Sequence, residues 1–229
     1  MIPTPRLEID LEKISHNTRT LVERLAVRGI SVTGVTKATL GSTEVAEAMI
    51  KAGVSSIGDS RIENIENMRF DKISAPMTLV RSPMLSQAER VVVNADLSFN
   101  TEIEVIRNLS LEAQKLHRTH GVVIMVELGD LREGIMPDDL INLVGETLCL
   151  PNIALKGIGT NLACRCGVSP DARNMAELSA LANLIEATFD LKLEIVSGGN
   201  SANLEWALSG AETGRINNLR LGEAILLGC

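Results

Sequence analysis

Short apolar runs and longer amphipathic stretches alternate along almost the whole chain, and this alternation limits the possible folds more than any other feature. The apolar runs predict strands at residues 7–9, 31–36, 56–59, 77–81, 97–100, 122–128, 154–160, 193–197 and 219–227. Helical spacing lies between them at residues 11–28, 42–52, 101–117, 138–148, 171–189 and 201–208. Strand and helix repeated about eight times predict parallel βα units.

Two architectures consist of such units: a closed (β/α)8 barrel and an open doubly wound sheet. The number of units and the length of 229 residues, close to the typical length of about 250, favour the barrel. An open sheet that binds a dinucleotide would carry a G-x-G-x-x-G turn after its first strand, and this sequence lacks it. We therefore predict an α/β protein with a (β/α)8 TIM-type barrel.

The composition argues against several function classes. A net charge of -7 gives the chain no long-range field that would attract nucleic acid. Aromatic residues make up only 2% of the chain, too few for a stacking platform. No run approaches the roughly 18 apolar residues of a membrane span, and the first residues do not resemble a signal peptide. We expect a cytoplasmic protein that acts on a small molecule, with neither nucleic acid nor membrane as a partner.

The four cysteines do not form a recognisable disulfide framework in a chain of 229 residues, and reduced thiols are the simpler interpretation. Cys164 and Cys166 are separated by one residue. Zinc ligands are usually two to four residues apart and need a second pair elsewhere. No metal site is predicted.

Polar side chains stand at the ends of most predicted strands. In such folds, active sites lie where strands end and loops begin. The polar residues at these positions include Lys37, Asp59, Arg61, Arg81, Asp130, Arg132, Asn161, Ser197, Asn200 and Ser201. In a barrel they would converge on one mouth, and we expect the functional site there. Unrelated surface loops are the alternative.

Lys37 directly follows the predicted strand at residues 31–36. A lysine held in a partly dry barrel mouth can present a neutral amine, which a Schiff-base lysine needs. The alternative is a lysine whose stem packs at the strand end while its ammonium group reaches water.

Residues 197–201 read Ser-Gly-Gly-Asn-Ser and join a strand to a helix. Glycines let the backbone approach an anion, while helix N–H groups and serine hydroxyls can bind a phosphate. Gly222, after the next strand, could add a backbone donor. An ordinary turn with a capping serine fits the same residues. A lysine and a phosphate cradle on one rim suggest pyridoxal 5'-phosphate.

Four motifs in this order resemble the alanine racemase superfamily, whose barrel carries pyridoxal phosphate on a lysine near its N-terminus. They are Val-Thr-Lys-Ala at 35–38, Gly-Asp-Leu-Arg-Glu-Gly at 129–134, Asn-Ser at 200–201 and Leu-Arg-Leu-Gly-Glu-Ala at 219–224. The resemblance covers the whole chain, and within the superfamily it is greatest to the ornithine racemase-like branch.

The resemblance implies a role for each matching residue. Lys37 would hold the cofactor as a Schiff base and then act as one acid/base at the α-carbon of an amino acid. Ser201, with the backbone of Gly222 and Glu223, would hold the phosphate. The remaining cofactor contacts would be Asn161, Ser197 and Asn200.

Two arginines are implied at the cofactor as well. Arg220 would face the pyridine nitrogen, and since an arginine keeps its protons, that nitrogen would stay unprotonated. Arg132 would act near the phenolic oxygen or the substrate carboxylate. An acidic rim of Asp59, Glu127, Asp130 and Glu133 could pair with the side-chain ammonium of a basic amino acid, while Arg61 or Arg81 takes its carboxylate. The candidate substrate contacts are Asp59, Asp130, Arg61 and Arg81.

The sequence also departs from the pattern of alanine racemases. Asn161 stands where a histidine often stacks on the cofactor ring, and the tyrosine that follows the lysine is absent. Those enzymes carry a second, β-rich domain whose tyrosine is the opposite-face base, whereas this chain has no tyrosine. We expect residues 1–229 to be a single cofactor-binding barrel domain of a longer protein that lacks its C-terminal β domain here. A single-domain relative is the alternative.

These features together predict a pyridoxal phosphate-dependent amino-acid racemase, homodimeric when intact, with ornithine or another basic amino acid as substrate. The alternative is a non-catalytic pyridoxal phosphate-binding homeostasis protein, because that family consists of single barrels of about this size. The arginine loop at residues 129–134 and Arg220 favour the racemase.

Overall fold

The computed structural model describes residues 8–163 and 168–228. Eight parallel strands close into a barrel in which each strand pairs with the next and the last pairs with the first. The strands are β1 (Ser31–Val35), β2 (Ser56–Asp59), β3 (Met77–Leu79), β4 (Leu97–Asn100), β5 (His120–Met125), β6 (Ile153–Gly159), β7 (Ile195–Ser197) and β8 (Asn218–Leu221). The predicted (β/α)8 TIM-type barrel is confirmed.

Helices surround the barrel. They are α1 (Leu11–Ala26), α2 (Thr43–Lys51), α3 (Ile62–Phe70), α4 (Ala88–Asn94), α5 (Ile103–Lys115), α6 (Leu140–Leu148), α7 (Ala172–Phe189), α8 (Leu204–Leu208) and α9 (Glu223–Leu227). Of the helices in the described ranges, none combines the length and the apolar character that crossing a membrane requires.

Alternate residues of the strands face opposite sides of the barrel wall, as the period of two in a strand requires. One set joins the main apolar core with the helices and includes Val32, Ile57, Val122, Ile158, Val196 and Leu219. The other set points into the barrel, where Phe99, Val123 and Met125 form a smaller apolar cluster. Polar side chains of β1, β7 and β8 fill much of the remaining interior and support the site described below.

One predicted strand is wrong and another extends too far. Glu8 and Ile9 have no regular structure, because β8 already closes the barrel against β1 and leaves no free edge; Leu7 lies outside the described residues. The strand predicted at residues 219–227 ends at Leu221, and α9 follows Gly222. Asn17 of α1 donates a hydrogen bond to the carbonyl oxygen of Ile225 (3.0 Å), which ties α9 to the first helix.

His120, at the start of β5, is a buried titratable group with 1% of its surface exposed. Its Nε2 lies 2.8 Å from the hydroxyl oxygen of Ser98, which also accepts a hydrogen bond from Asn100. Burial lowers the pKa of His120 from 6.5 to about 4, and the charge of Asp96 only partly opposes this effect. The imidazole is therefore neutral in the folded protein at neutral pH.

We predict that the free energy of unfolding falls as the pH is lowered from 6.5 to 4. The pKa of His120 is lower in the folded than in the unfolded chain, so its stabilisation is complete above pH 6.5 and is lost as the pH falls through 4. The loss between pH 7 and 4.5 should be about 2–3 kcal/mol. Urea unfolding at both values should show a correspondingly weaker pH dependence in His120→Gln.

Ion-paired carboxylates lose their stabilisation mainly in a lower pH window, and comparison with His120→Gln separates their part from that of the histidine. The Arg215 guanidinium, for example, lowers the pKa of Glu186 to about 2, so stabilisation by that carboxylate is lost only below its ordinary value of 4.5. The same pH dependence in the wild type and in His120→Gln would show that His120 is not responsible.

Candidate active site

A cavity of about 350 Å³ opens at the carboxyl ends of the strands, the end at which barrel enzymes place their active sites. Its size lies within the range of small-molecule and cofactor sites, roughly 300–1,000 Å³. The cavity is lined by Val35, Lys37, Val80, Arg132, Asn161, Ala163, Asn200, Ser201, Ala202, Arg220, Gly222 and Glu223. The structure thus brings together the predicted catalytic pair and nearly all of the predicted cofactor contacts.

The cavity carries positive charge although the whole chain is acidic. Lys37, Arg132 and Arg220 line it, and Glu223 is the one carboxylate among its described lining residues. The whole chain, in contrast, has a formal net charge of -7. A concentration of cations in a concave site on an acidic protein favours an anionic ligand.

Lys37 begins a 3₁₀ turn (Lys37–Thr39) directly after β1. The preceding Thr36 is buried and donates a hydrogen bond to Asp59 Oδ2 (2.8 Å). Leu40 ends the turn in the left-handed region, with φ of 53°, and its N–H donates to the carbonyl oxygen of Lys37. These contacts fix the backbone at the lysine. The side chain itself is exposed, so the described residues do not provide the partly dry environment that we expected.

Arg220 of β8 forms the inner wall of the cavity and is 6% exposed. Its guanidinium donates hydrogen bonds to the hydroxyl of Ser197, to the carbonyl oxygen of Thr160 (2.8 Å) and to Asn161 Oδ1 (2.6 Å). The guanidinium carbon also lies 4.5 Å from the centre of the Phe99 ring, a cation–π contact. With this many partners, the charge is held in one position before any ligand binds.

Ser197 supports Arg220 from inside the barrel and does not line the cavity, contrary to its predicted cofactor contact. Its hydroxyl donates to Asn218 Oδ1 (2.7 Å) while accepting from Arg220. Asn218 Nδ2 in turn donates to the hydroxyl of Thr33 (3.1 Å). The hydroxyl oxygens of Thr33 and Ser56 lie 2.9 Å apart. A hydrogen-bonded chain therefore runs down the barrel interior below Arg220.

Ser201, Gly222 and Glu223, which were predicted to hold a phosphate, also line the cavity. The Ser201 hydroxyl accepts a hydrogen bond from the N–H of Ala224 (3.1 Å), which joins the turn after β7 to the start of α9. The hydroxyl proton can then be donated to an anion in the cavity. Gly199 permits the turn, because its φ is +129° and a Cβ there would lie 2.8 Å from Asn203 Oδ1.

Asn200 also lines the cavity and holds the same turn together. Its Nδ2 donates to the carbonyl oxygen of Leu162 (3.1 Å), and its Oδ1 accepts from the N–H of Ala202 (2.9 Å). The loop after β6 and the turn after β7 are thereby joined at the mouth.

The arginine loop after β5 is stabilised by two carboxylates. Glu127 Oε1 accepts hydrogen bonds from the N–H groups of Gly129 (2.5 Å) and Leu131 (3.1 Å). Glu133 Oε1 accepts from Arg132 and from Asn161 Nδ2 (2.9 Å). Glu133 was predicted, with Glu127, as part of the acidic rim for a substrate ammonium group, but its link to Asn161 is a contact between two loops that sequence spacing does not reveal.

The four candidate substrate contacts do not line the cavity. Asp59 is fully buried and accepts hydrogen bonds from Thr36, from the backbone N–H of Arg61 and from Asn64, so its charge stabilises the start of α3. Asp130 is buried as well, while Arg61 and Arg81 have exposed side chains outside the cavity lining. The predicted acidic rim for a substrate ammonium group is therefore not formed by Asp59 or Asp130. Its other two predicted members, Glu127 and Glu133, do not line the cavity either and accept hydrogen bonds from the arginine loop.

Cys164 and Cys166, between which no zinc site was predicted, lie outside the described residues.

Comparison with known proteins gives relatives over nearly the whole chain. Ornithine racemase from Acetoanaerobium sticklandii is 37% identical over 226 residues, covering 98% of this chain and 63% of that protein. Lysine racemase from Thermotoga maritima is 35% identical over 224 residues, covering 98% of this chain and 62% of that protein. The chain thus spans less than two thirds of the length of either relative.

A solved structure with the same fold is that of D-threonine aldolase from Filomicrobium marinum. It matches with a TM-score of 0.81 at 17% sequence identity, covering 97% of this chain and 62% of that one. At this identity the similarity supports the barrel fold only. Residues 9–228 also match the family described as alanine racemase, N-terminal domain. This chain therefore belongs to the alanine racemase N-terminal domain family.

Proposed function

We propose that this barrel is the cofactor-binding part of a pyridoxal phosphate-dependent amino-acid racemase that acts on a basic amino acid in the cytoplasm, as a homodimer. The observation that carries the proposal is one cavity that presents an amine (Lys37), a hydroxyl suited to phosphate (Ser201) and a buried arginine (Arg220). The names of the two relatives, ornithine racemase and lysine racemase, support a basic substrate.

The residues of the cavity fit pyridoxal phosphate in their chemistry. The cofactor has an aldehyde that reacts with a primary amine, a phosphate dianion and a ring nitrogen that accepts a hydrogen bond. Lys37 supplies the amine, and the Ser201 hydroxyl with the backbone at Gly222 and Glu223 supplies donors for the phosphate. Arg220 supplies a donor that never loses its proton.

Pyridoxal phosphate, when bound, supplies an electron sink for negative charge at the α-carbon of an amino acid. The protein must hold the reactants and move the proton. Lys37, at the rim on a fixed turn, takes the proton from one face of the α-carbon and returns it. Arg220 would donate a hydrogen bond to the ring nitrogen without giving up its proton, so that nitrogen would stay unprotonated. An unprotonated ring nitrogen would withdraw electrons less strongly, which favours proton exchange over side reactions.

Arg132 is the group that we assign to the substrate carboxylate or to the phenolic oxygen of the cofactor. It lines the cavity and pairs with Glu133, which holds its guanidinium at the mouth. A guanidinium binds a carboxylate through two parallel hydrogen bonds, so it can orient the α-carbon as well as attract the anion.

The proposed substrate class is tested by supplying both enantiomers of ornithine, lysine and alanine to the cofactor-loaded chain. Exchange of the α-proton in deuterated water should be faster with ornithine and lysine than with alanine. A clear preference for alanine would contradict the basic substrate. Binding of the cofactor without exchange on any amino acid would instead indicate a non-catalytic carrier.

Ser201→Ala should weaken cofactor binding without preventing attachment to Lys37. One hydrogen bond to a charged phosphate contributes roughly 1.5–3 kcal/mol, or about one to two decades in the dissociation constant. Titration followed by the absorbance of the bound cofactor measures the change. Ser209→Ala is the control, because Ser209 donates to the carbonyl oxygen of Trp206 and lies outside the cavity lining. Unchanged affinity in Ser201→Ala would place the phosphate elsewhere.

A further inference from the structure

We propose that Glu133 is a positioning residue that acts through Asn161 to hold Arg220 in one orientation at the inner wall of the cavity. The inference rests on the proposed function only where it concerns the bound cofactor. Its structural part concerns Glu133 in the loop after β5, Asn161 in the loop after β6 and Arg220 in β8, and it can be tested without any ligand.

The amide of Asn161 lies between the two charged groups with its two ends facing opposite ways. Its Nδ2 donates to Glu133 Oε1 at 2.9 Å, and its Oδ1 accepts from Arg220 Nη2 at 2.6 Å. A carboxylate can only accept and a guanidinium can only donate. Asn161 is 8% exposed, so water has little access to replace either partner.

Glu133 determines which end of the amide faces Arg220. If the amide turned over, its NH₂ group would face the donors of the guanidinium and its oxygen would face the carboxylate, and both contacts would be lost. The Glu133 carboxylate therefore selects the orientation in which Arg220 has an acceptor. Without that acceptor, Arg220 keeps its bonds to Ser197 and Thr160 but loses the contact on the Asn161 side.

Glu133 also connects the two arginines that line the cavity. Its Oε1 accepts from Arg132 as well as from Asn161, so one carboxylate oxygen joins the arginine loop to the barrel wall. Two variants separate these contacts. Glu133→Gln removes the charge that pairs with Arg132 but leaves an oxygen that can accept from Asn161. Glu133→Leu removes both.

The first experiment uses the chain without cofactor and follows the arginine side-chain N–H signals by NMR, with the Arg220 signals assigned by their loss in Arg220→Lys. We expect the Nη protons of Arg220 to exchange with water roughly ten- to a hundredfold faster in Glu133→Leu, as expected for the loss of one charge-assisted hydrogen bond. Glu133→Gln should stay near the wild type. Equal exchange in all three proteins, or equally fast exchange in both variants, would overturn the proposal.

Asn161→Leu provides a second test, because it removes the middle member of the proposed chain of contacts. Removing the amide itself should release the Arg220 protons to the same extent as Glu133→Leu. In the double variant, Glu133→Leu should add nothing further, because Glu133 is proposed to act only through Asn161. An additional effect of Glu133→Leu in the Asn161→Leu background would show that Glu133 acts by another route.

The second experiment uses the cofactor-loaded chain and records the absorption band of the bound cofactor as a function of pH. If Arg220 faces the ring, its displacement in Glu133→Leu should shift the pH profile of this band, and Glu133→Gln should restore the wild-type profile. If no cofactor bound to any of these proteins, the proposed function would be contradicted. The NMR experiment would then test the role of Glu133 in holding Arg220 by itself. An unshifted profile in Glu133→Leu with released Arg220 protons would contradict the part of the inference that concerns the cofactor.

Discussion

Replacement of Lys37 by alanine is expected to abolish covalent attachment of pyridoxal phosphate to this chain. The wild type, incubated with the cofactor, should show an absorption band in the near violet, and borohydride should fix the cofactor to Lys37. Lys37 is the one primary amine among the described residues that line the cavity, where Ser201 and Arg220 offer partners to the phosphate and the ring. Peptide mapping of the reduced protein identifies the modified lysine.

Lys51→Ala is a suitable control for this prediction. Lys51 lies on the outer helix α2, is exposed and pairs with Glu47 at 3.1 Å, so its removal leaves the cavity intact. This variant should retain the band and the adduct. A reduced cofactor on another lysine, or an undiminished band in Lys37→Ala, would show that the attachment site has been assigned to the wrong residue.

The second large effect is a difference between the rate of α-proton exchange and the rate of inversion at the α-carbon. We expect the 229-residue chain alone to exchange the α-proton of its substrate with solvent faster than it inverts the centre. Inversion requires a second proton-transferring group on the face opposite Lys37. Arg132 and Arg220 stay protonated at any working pH, and the chain contains no tyrosine. The loss of one acid/base partner usually costs about 10²–10⁴ in rate.

The two rates are separated by running one reaction in deuterated water and reading NMR and optical rotation together. Deuterium should enter the α-position of the starting enantiomer with retention, while the optical signal changes about 10²–10⁴ times more slowly. Glu223→Gln serves as a control on the one carboxylate in the described cavity lining. Equal rates of exchange and inversion would mean that a second base lies within these residues.

The barrel could be predicted from the sequence because each parallel βα unit contributes a short apolar run followed by an amphipathic stretch. The sequence did not predict α3 and α4, and its strand predictions failed at the two ends of the chain, where closure of the barrel decides the structure. The alternation of Leu7, Glu8 and Ile9 suggested a short strand, but residues 8 and 9 find no free edge, because β1 already pairs with β8. Residues 223–227 are apolar enough to continue a strand, yet they form α9, whose residues pack against α1.

The candidate site also was predictable only where its residues follow directly from the order of strands along the chain. Residues that follow strands, such as Lys37 and Ser201, were found from sequence order because parallel strands bring their carboxyl ends to one mouth. Residues that contact Arg220 inside the barrel were either not predicted or were assigned to the wrong contact. Phe99 carries only the signature of a strand interior, and Ser197 looks like part of the phosphate turn although it faces Arg220. Asp59 stands at a strand end too, but its hydrogen bonds within the fold can be seen only in three dimensions.

The measurement that tests the account most directly is the α-proton signal of ornithine in deuterated water, recorded by NMR with cofactor-saturated protein whose saturation is monitored by the absorption band. We expect the signal to disappear catalytically with the wild type and to persist with Lys37→Ala, in which the band is also lost. A wild-type protein that shows the full band while the α-proton signals of ornithine, lysine and alanine all persist would contradict it, and would identify the barrel as a carrier of its cofactor.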